Sequence, residues 1–349
     1  MKASVIGREE PPTPRDVGSA RRAGGLVVDR EWLGRVREPT HLPEQPIIDP
    51  HQHLWLRDPI RYTCEDYLAD VGGHTLEATV FAECASEYLS SGPMHLRPVG
   101  EVRFALEQSS RARSVDASVE LCAGIIGRVD LGAPELFREA LEAQVDAGQR
   151  RLRGVRPELY SNDDASASVL RDERWDRWAD ALQANDLLLE AWVSYRQLPD
   201  LVRLATRYPE LPVVLNHLGG PVGAGIPGAD PHELRAAWLE RMAALSACEN
   251  VVVKVGGLGT SVFGFRLFAE PEPPTSRALA TLWQPWVEPV IQLFGPARCM
   301  FESNYPVDAR VGGLDVLWNC FKILSEPYAD DERDWLCRKT AARTYGLEA

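Results

Sequence analysis

Cysteine is sparse and unpatterned in this chain. The seven cysteines, at 64, 84, 122, 248, 299, 320 and 337, are odd in number and never spaced CxxC. That excludes a thiolate zinc site and argues for free thiols in a reducing compartment rather than a disulfide framework. Positive charge is short as well: 38 Lys and Arg against 51 Asp and Glu leave a net charge of −13. Neither nucleic acid nor an anionic membrane surface is therefore an expected partner. No apolar run approaches the ~20 residues needed to span a bilayer. Arg21-Arg22 opens like a twin-arginine export signal, but the apolar stretch from Ala23 to Val28 is too short and Asp29-Arg30-Glu31 ends it. A cytoplasmic protein is expected.

The 349 residues, 45% of them hydrophobic, suffice for one large α/β domain with a sizeable core. The first 45 residues read differently from the rest. Five prolines, many charges and few large apolar groups suggest a flexible N-terminal extension, although Trp32 and Leu33 favour burial. Residues 46–349 carry eight short β-rich runs: Pro46–Asp49, Ala78–Cys84, Leu121–Arg128, Arg151–Arg156, Leu187–Val193, Pro212–Asn216, Asn250–Val255 and Arg298–Glu302. Helical patterns lie between them, such as Pro134–Ala147, Asp172–Ala184 and Pro231–Ala247. Alternating strands and helices predict a parallel sheet, and near-continuous apolar strands predict one buried on both faces. A doubly wound open sheet usually has a glycine-rich turn after its first strand. Here that strand ends in His51-Gln52-His53. The expectation is a (β/α)8 TIM barrel, whose active site sits at the C-terminal ends of its strands.

His51 and His53, two residues apart on a strand, point to one side, where they can hold a divalent metal or bracket a polar substrate; a hydrogen-bonded turn is the plainer reading. His217 ends the sixth run before Gly219-Gly220, which read with Gly223-Ala224-Gly225 as turns rather than a phosphate loop. Lys254 lies between two valines and suits a base role or a buried ion pair with Glu190 or Glu83. Glu83 and Glu190 can be bases, ligands or salt-bridge partners. Arg153 or Arg156 suits a substrate carboxylate clamp, and Trp55 and Tyr305 flank the site motifs. In Glu302-Ser303-Asn304-Tyr305-Pro306-Val307-Asp308, Asn304 can orient a water but cannot be its base, whereas Asp308 can serve if its loop curls back.

His51-Gln52-His53, His217 and the segment from Phe301 to Asp308 together resemble the amidohydrolase superfamily, in the branch holding lactone hydrolases and, more distantly, non-oxidative decarboxylases. The resemblance runs from about Pro46 to Leu347 and implies a distorted (β/α)8 barrel. It also implies a divalent metal, zinc or manganese, on His51, His53 and His217 where a metal is present. The superfamily's strand-eight aspartate corresponds to Asn304, a loss that implies weak metal binding or metal-free polarisation of a lactone by histidines and arginines. The resulting expectation is a hydrolase of a small, carboxylated lactone or cyclic ester. His51, His53, His217, Asp308, Lys254 and Glu190 are its catalytic candidates; Trp55, Glu83, Arg153, Arg156, Asn304 and Tyr305 are its substrate contacts. A decarboxylase or a non-catalytic binding barrel is the alternative. The partner is a small molecule, and a homo-oligomer is compatible with the sequence.

Overall fold

The computed structural model describes residues 28–56, 60–161, 169–221, 223 and 230–347. Eight parallel strands pair in chain order. They are β1 (Ile47–Gln52), β2 (Leu76–Ala82), β3 (Glu120–Gly127), β4 (Leu152–Val155), β5 (Leu188–Ala191), β6 (Val213–Leu215), β7 (Val251–Gly256) and β8 (Cys299–Glu302). Each expected run contains its strand within a few residues. Each strand is followed by a helix: α1 (Cys64–Asp70), α2 (Val99–Val115), α3 (Pro134–Gly148), α4 (Trp175–Gln183), α5 (Leu198–Arg207), α6 (Pro231–Ser246), α7 (Ser276–Phe294) and α8 (Leu314–Leu324). Local signals explain their limits. Asp230 caps α6 by accepting from the amides of His232 and Glu233, and Pro134 starts α3 where its missing N–H has no intrahelical partner anyway.

The barrel closes just beyond the strands. Gln52 bridges Tyr305, His53 N donates to Tyr305 O (2.8 Å), and Asn304 N donates to His51 O (2.9 Å). Asp49 clasps the same seam with a buried carboxylate that accepts from Ser303 N (3.0 Å), Ser303 Oγ and Tyr67 Oη (2.6 Å). A shift in the β1–β2 register between Asp49 and Gln52 accompanies the change of face along β1. Asp49 and Gln52 consequently face the helical layer, while His51 and His53 face inward.

Inside the barrel, Ile48, Ala78, Val80, Ile126, Leu188, Val214 and Met300 form an apolar layer. A helical C-terminal segment, Asp330–Asp334, Trp335–Lys339 and Thr340–Tyr345, adds Ala341, Ala342 and Tyr345 to it. This end of the barrel is therefore filled, and polar groups collect toward the other.

Residues 28–45 correct the expectation of a flexible extension. Trp32 is 1% exposed, with Nε1 donating to Glu270 O (3.0 Å). Lys322 Nζ donates to Leu42 O, Asn319 Nδ2 to Pro39 O, and Ser276 N to Glu38. The apolar indole outweighs the polar composition around it. Residues 1–27 lie outside the described residues. Trp32→Ala should cost about 3–5 kcal/mol, the range for truncating a buried aromatic, as read by urea unfolding. A much smaller loss would show that this segment's docking adds little to stability.

Candidate active site

A column of fully buried charged and polar side chains climbs from the apolar layer toward the C-terminal strand ends. Tyr345 Oη donates to Glu190 Oε1 (2.7 Å), and Asn216 Nδ2 donates to Glu190 Oε2 (2.9 Å). Lys254 Nζ spans both carboxylate oxygens at 2.7 and 2.8 Å. Burial pushes Glu190 up, but Lys254 and Arg156 more than reverse it and hold the carboxyl below its ordinary range. Burial also lowers Lys254, against the pull of Glu190. Lys254 thus occupies the ion-pair alternative, with its Nζ still 3.2 Å from His51 Nδ1.

Above the pair, His51 and His53 converge as strand periodicity predicts, with their Nε2 atoms 3.3 Å apart. His53 Nδ1 lies 2.8 Å from Ala82 O, which can only accept, so that nitrogen carries the proton and Nε2 is bare. Arg156 Nη1 stands 3.1 Å from His51 Nε2, while its Nε and Nη2 donate to Glu83 Oε1 (2.9 Å) and Glu83 O (2.5 Å). Burial first, then Lys254, holds His51 well below the usual histidine range. Burial and then Arg156 do the same for His53. Both imidazoles are neutral at neutral pH.

His217 enters from the end of β6 on an unusual backbone. His217, Leu218, Gly219 and Gly220 all have positive φ, at 52°, 56°, 67° and 60°. Such a run is costly for the two non-glycine residues and is held here by Trp238 Nε1 on Leu218 O and by Glu302 on His217 N. Gly257 makes room for the ring, since a Cβ there would lie 2.0 Å from His217 Nδ1. Trp192 packs edge-on to His217, and Tyr160 stacks on Trp192 with ring centres 5.0 Å apart. Trp55 lies beside His53 at 5.4 Å.

Asn304 neighbours His53, and its Nδ2 donates to Asp308 Oδ1 (2.8 Å) and Thr260 Oγ1 (3.2 Å). The loop does curl back, but Asp308 stands behind Asn304 and also accepts from Gly259 N. Two expected contacts face elsewhere. Arg153 turns to the C-terminal segment, where its Nη2 donates to Gly346 O, because it lies near the start of β4, whereas Arg156 lies just beyond the strand's C-terminal end. Tyr305 packs outside the barrel against Tyr62, so neither side chain joins the site.

The residue passed over in the sequence is Glu302. It is fully buried in β8, with Oε1 2.7 Å from His217 Nδ1 and Oε2 2.8 Å from His51 Nδ1. Its signal was a glutamate at the end of an apolar strand, two residues before Asn304 and hence on the same face by strand periodicity.

A model of the amidohydrolase family matches residues 48–347. The chain belongs to the amidohydrolase family. This amidohydrolase is 29% identical over 307 residues to the L-fucono-1,5-lactonase of Burkholderia multivorans, covering 86% of this chain and 96% of that protein. It superposes on the crystal structure of a Burkholderia multivorans amidohydrolase with bound HEPES at a TM-score of 0.67 and 26% identity, covering 86% and 99% of the two chains. A crystal form of that target with bound zinc gives a TM-score of 0.64 at 25% identity, again over 86% and 99%.

The donor set of this amidohydrolase fits a divalent metal. His51, His217 and Glu302 form a buried cluster able to hold one. The 3.3 Å between the Nε2 atoms of His51 and His53 also matches the span of about 3.3–3.4 Å between two nitrogens on a tetrahedral zinc. No described helix is long and apolar enough to cross a membrane.

Burial pushes Asp308 up to about 8, against the hydrogen bonds from Gly259 and Asn304. With its folded value above the unfolded 3.8, this group's contribution to stability is full below about pH 4 and is lost as pH rises toward about 8. Asp49 and Glu101, raised by burial to about 6 and about 8, act in the same direction. Asp308→Asn should therefore reduce, without abolishing, the fall in melting temperature between pH 5 and pH 8. An unchanged slope would mean that Asp308 ionises normally in the fold.

Proposed function

We propose that this amidohydrolase opens a small, uncharged lactone or cyclic ester. The observation that carries this reading is the pairing of two neutral imidazoles with a permanently charged guanidinium at the barrel mouth. Arg156 is positioned to stabilise negative charge as it develops on a lactone carbonyl oxygen, in a buried setting where such a contact is strong. His53 Nε2, bare and fixed in direction by Ala82 O, accepts a proton from the attacking water. Asn304 orients that water with its side-chain amide, and Asp308 holds Asn304 in place. His51, His53 and His217 are the residues that would hold a metal; a bound divalent ion would supply Lewis-acid polarisation of the same carbonyl and would take the place of proton acceptance at His53 Nε2. The zinc bound in the Burkholderia multivorans structure supports a divalent metal as a partner of this fold.

The arginine clamp expected for a substrate carboxylate gains no support from the two candidate arginines. Arg153 faces the other end of the barrel, and Arg156 is bound by Glu83. Arg128, the other guanidinium near Glu83, is surrounded by Asp130 (3.2 Å), Glu158 (3.3 Å) and Glu83 (3.9 Å). Arg156 and Arg128 are thus partnered by carboxylates, and Arg153 lies away from the site, so a neutral ligand is favoured over an anionic one. The Tyr160–Trp192 stack offers an apolar face suited to a sugar ring. The relatives named L-fucono-1,5-lactonase support a hydroxylated, neutral lactone.

The test is turnover of neutral 1,4- and 1,5-sugar lactones against carboxylated lactones, with metal content measured before and after chelation. Neutral lactones should be preferred. His53→Ala should lower kcat/KM by roughly 10²–10⁴-fold, the usual worth of an acid–base group, with little change in melting temperature. Wild-type turnover in that variant would remove His53 from the reaction. Exclusive turnover of carboxylated lactones would reinstate an anion subsite.

A further inference from the structure

We propose that Glu302 is a positioning residue that fixes the tautomers of His51 and His217, so that each ring presents a bare Nε2 to the substrate. Four contacts around His51 bear on its proton, the longest being His53 Nε2 at 3.3 Å from Nε2. Glu302 Oε2 is 2.8 Å from Nδ1, a distance tolerable between a carboxylate and an N–H but repulsive against a lone pair, although it accepts no fully aligned hydrogen bond there. Arg156 Nη1, which can only donate, lies 3.1 Å from Nε2 and requires a lone pair on it. Lys254 Nζ is farther from Nδ1, at 3.2 Å, and already donates to both oxygens of Glu190. With the proton on Nδ1, the two shorter contacts are favourable. With the proton on Nε2, both become repulsive, and only the His53 and Lys254 contacts gain.

His217 is simpler. Its Nδ1 and its own amide both point at Glu302 Oε1, at 2.7 and 3.1 Å. One carboxylate from β8 thus orients rings from β1 and β6, and Ala82 O gives His53 the same tautomer independently. A hydrogen bond to the remote nitrogen of this kind fixes ring orientation and raises the basicity of the nitrogen facing the site. Strand eight keeps its carboxylate within the strand, two residues before Asn304, and uses it beneath the histidines rather than beside them.

The proposal rests on the histidines carrying the chemistry, but its test does not require turnover. In the full-length protein labelled with ¹⁵N-histidine, ring nitrogen shifts at neutral pH should show His51, His53 and His217 all protonated on Nδ1. Glu302→Gln supplies one acceptor and one donor in place of two acceptors. It should therefore move His51 or His217 to the other tautomer and leave His53 unchanged. Zinc affinity, measured by titration calorimetry, should fall about 10–100-fold, the usual cost of losing such an outer partner. The drop in kcat should be of the same size, with KM changed less than about twofold. Unchanged tautomers and zinc affinity in Glu302→Gln would overturn the proposal. If that variant does not fold, the wild-type spectrum decides: an Nε2-protonated His51 or His217 overturns it. Loss of turnover in His53→Ala with these tautomers intact would uphold both readings. Wild-type turnover in His53→Ala would overturn only the catalytic one.

Discussion

The seam between the first and last strands is the constraint on which the site depends. A parallel barrel has no edge only if β8 returns to β1, and here the join is made beyond the regular strands by Asp49, Ser303 and the backbone of residues 51–53 and 304–305. The join places His51 and His53 beside Glu302 and Asn304, residues about 250 positions away in the chain. Asp49 carries this seam from outside the barrel, in contact with Tyr67 of α1. Its carboxylate tolerates burial because several donors meet it.

A second constraint acts along the barrel axis. Lys254, Glu190 and Arg156 are charged and buried in the same interior as the histidines, and unpaired they would be costly. Each is paired, and Tyr345 from the C-terminal segment completes the shell of Glu190. The end of the chain therefore contributes both to the apolar layer and to the polar column above it. The pairs need not add stability over an apolar core. What they do is place fixed positive charge on two sides of His51, Lys254 at Nδ1 and Arg156 at Nε2.

That placement shapes the chemistry. An imidazole flanked by two cations resists protonation and stays a neutral ligand or base. The guanidinium beside it is available to an oxygen that gains negative charge. Catalysis of this type depends on groups oriented before the substrate arrives. The buried carboxylates Glu83, Glu190 and Glu302 provide that orientation to Arg156, Lys254 and the histidine rings respectively.

The periodicities of the sequence determined the strands, the helices, the barrel and the shared direction of His51 and His53, because these follow from local pattern and from the two-residue repeat of a strand. The histidines and Lys254 were legible as polar residues at the ends of apolar runs. Composition misled at residues 28–45, where one buried indole outweighs many polar neighbours, and at Arg153 and Tyr305, whose faces depend on how their strand ends twist and close. Glu302 was invisible as a hub because nothing local says which nitrogens a carboxylate will meet. Only the closed barrel, which brings β1, β6 and β8 to one point, decided that Glu302 lies beneath two histidines and that Asp308 lies behind Asn304.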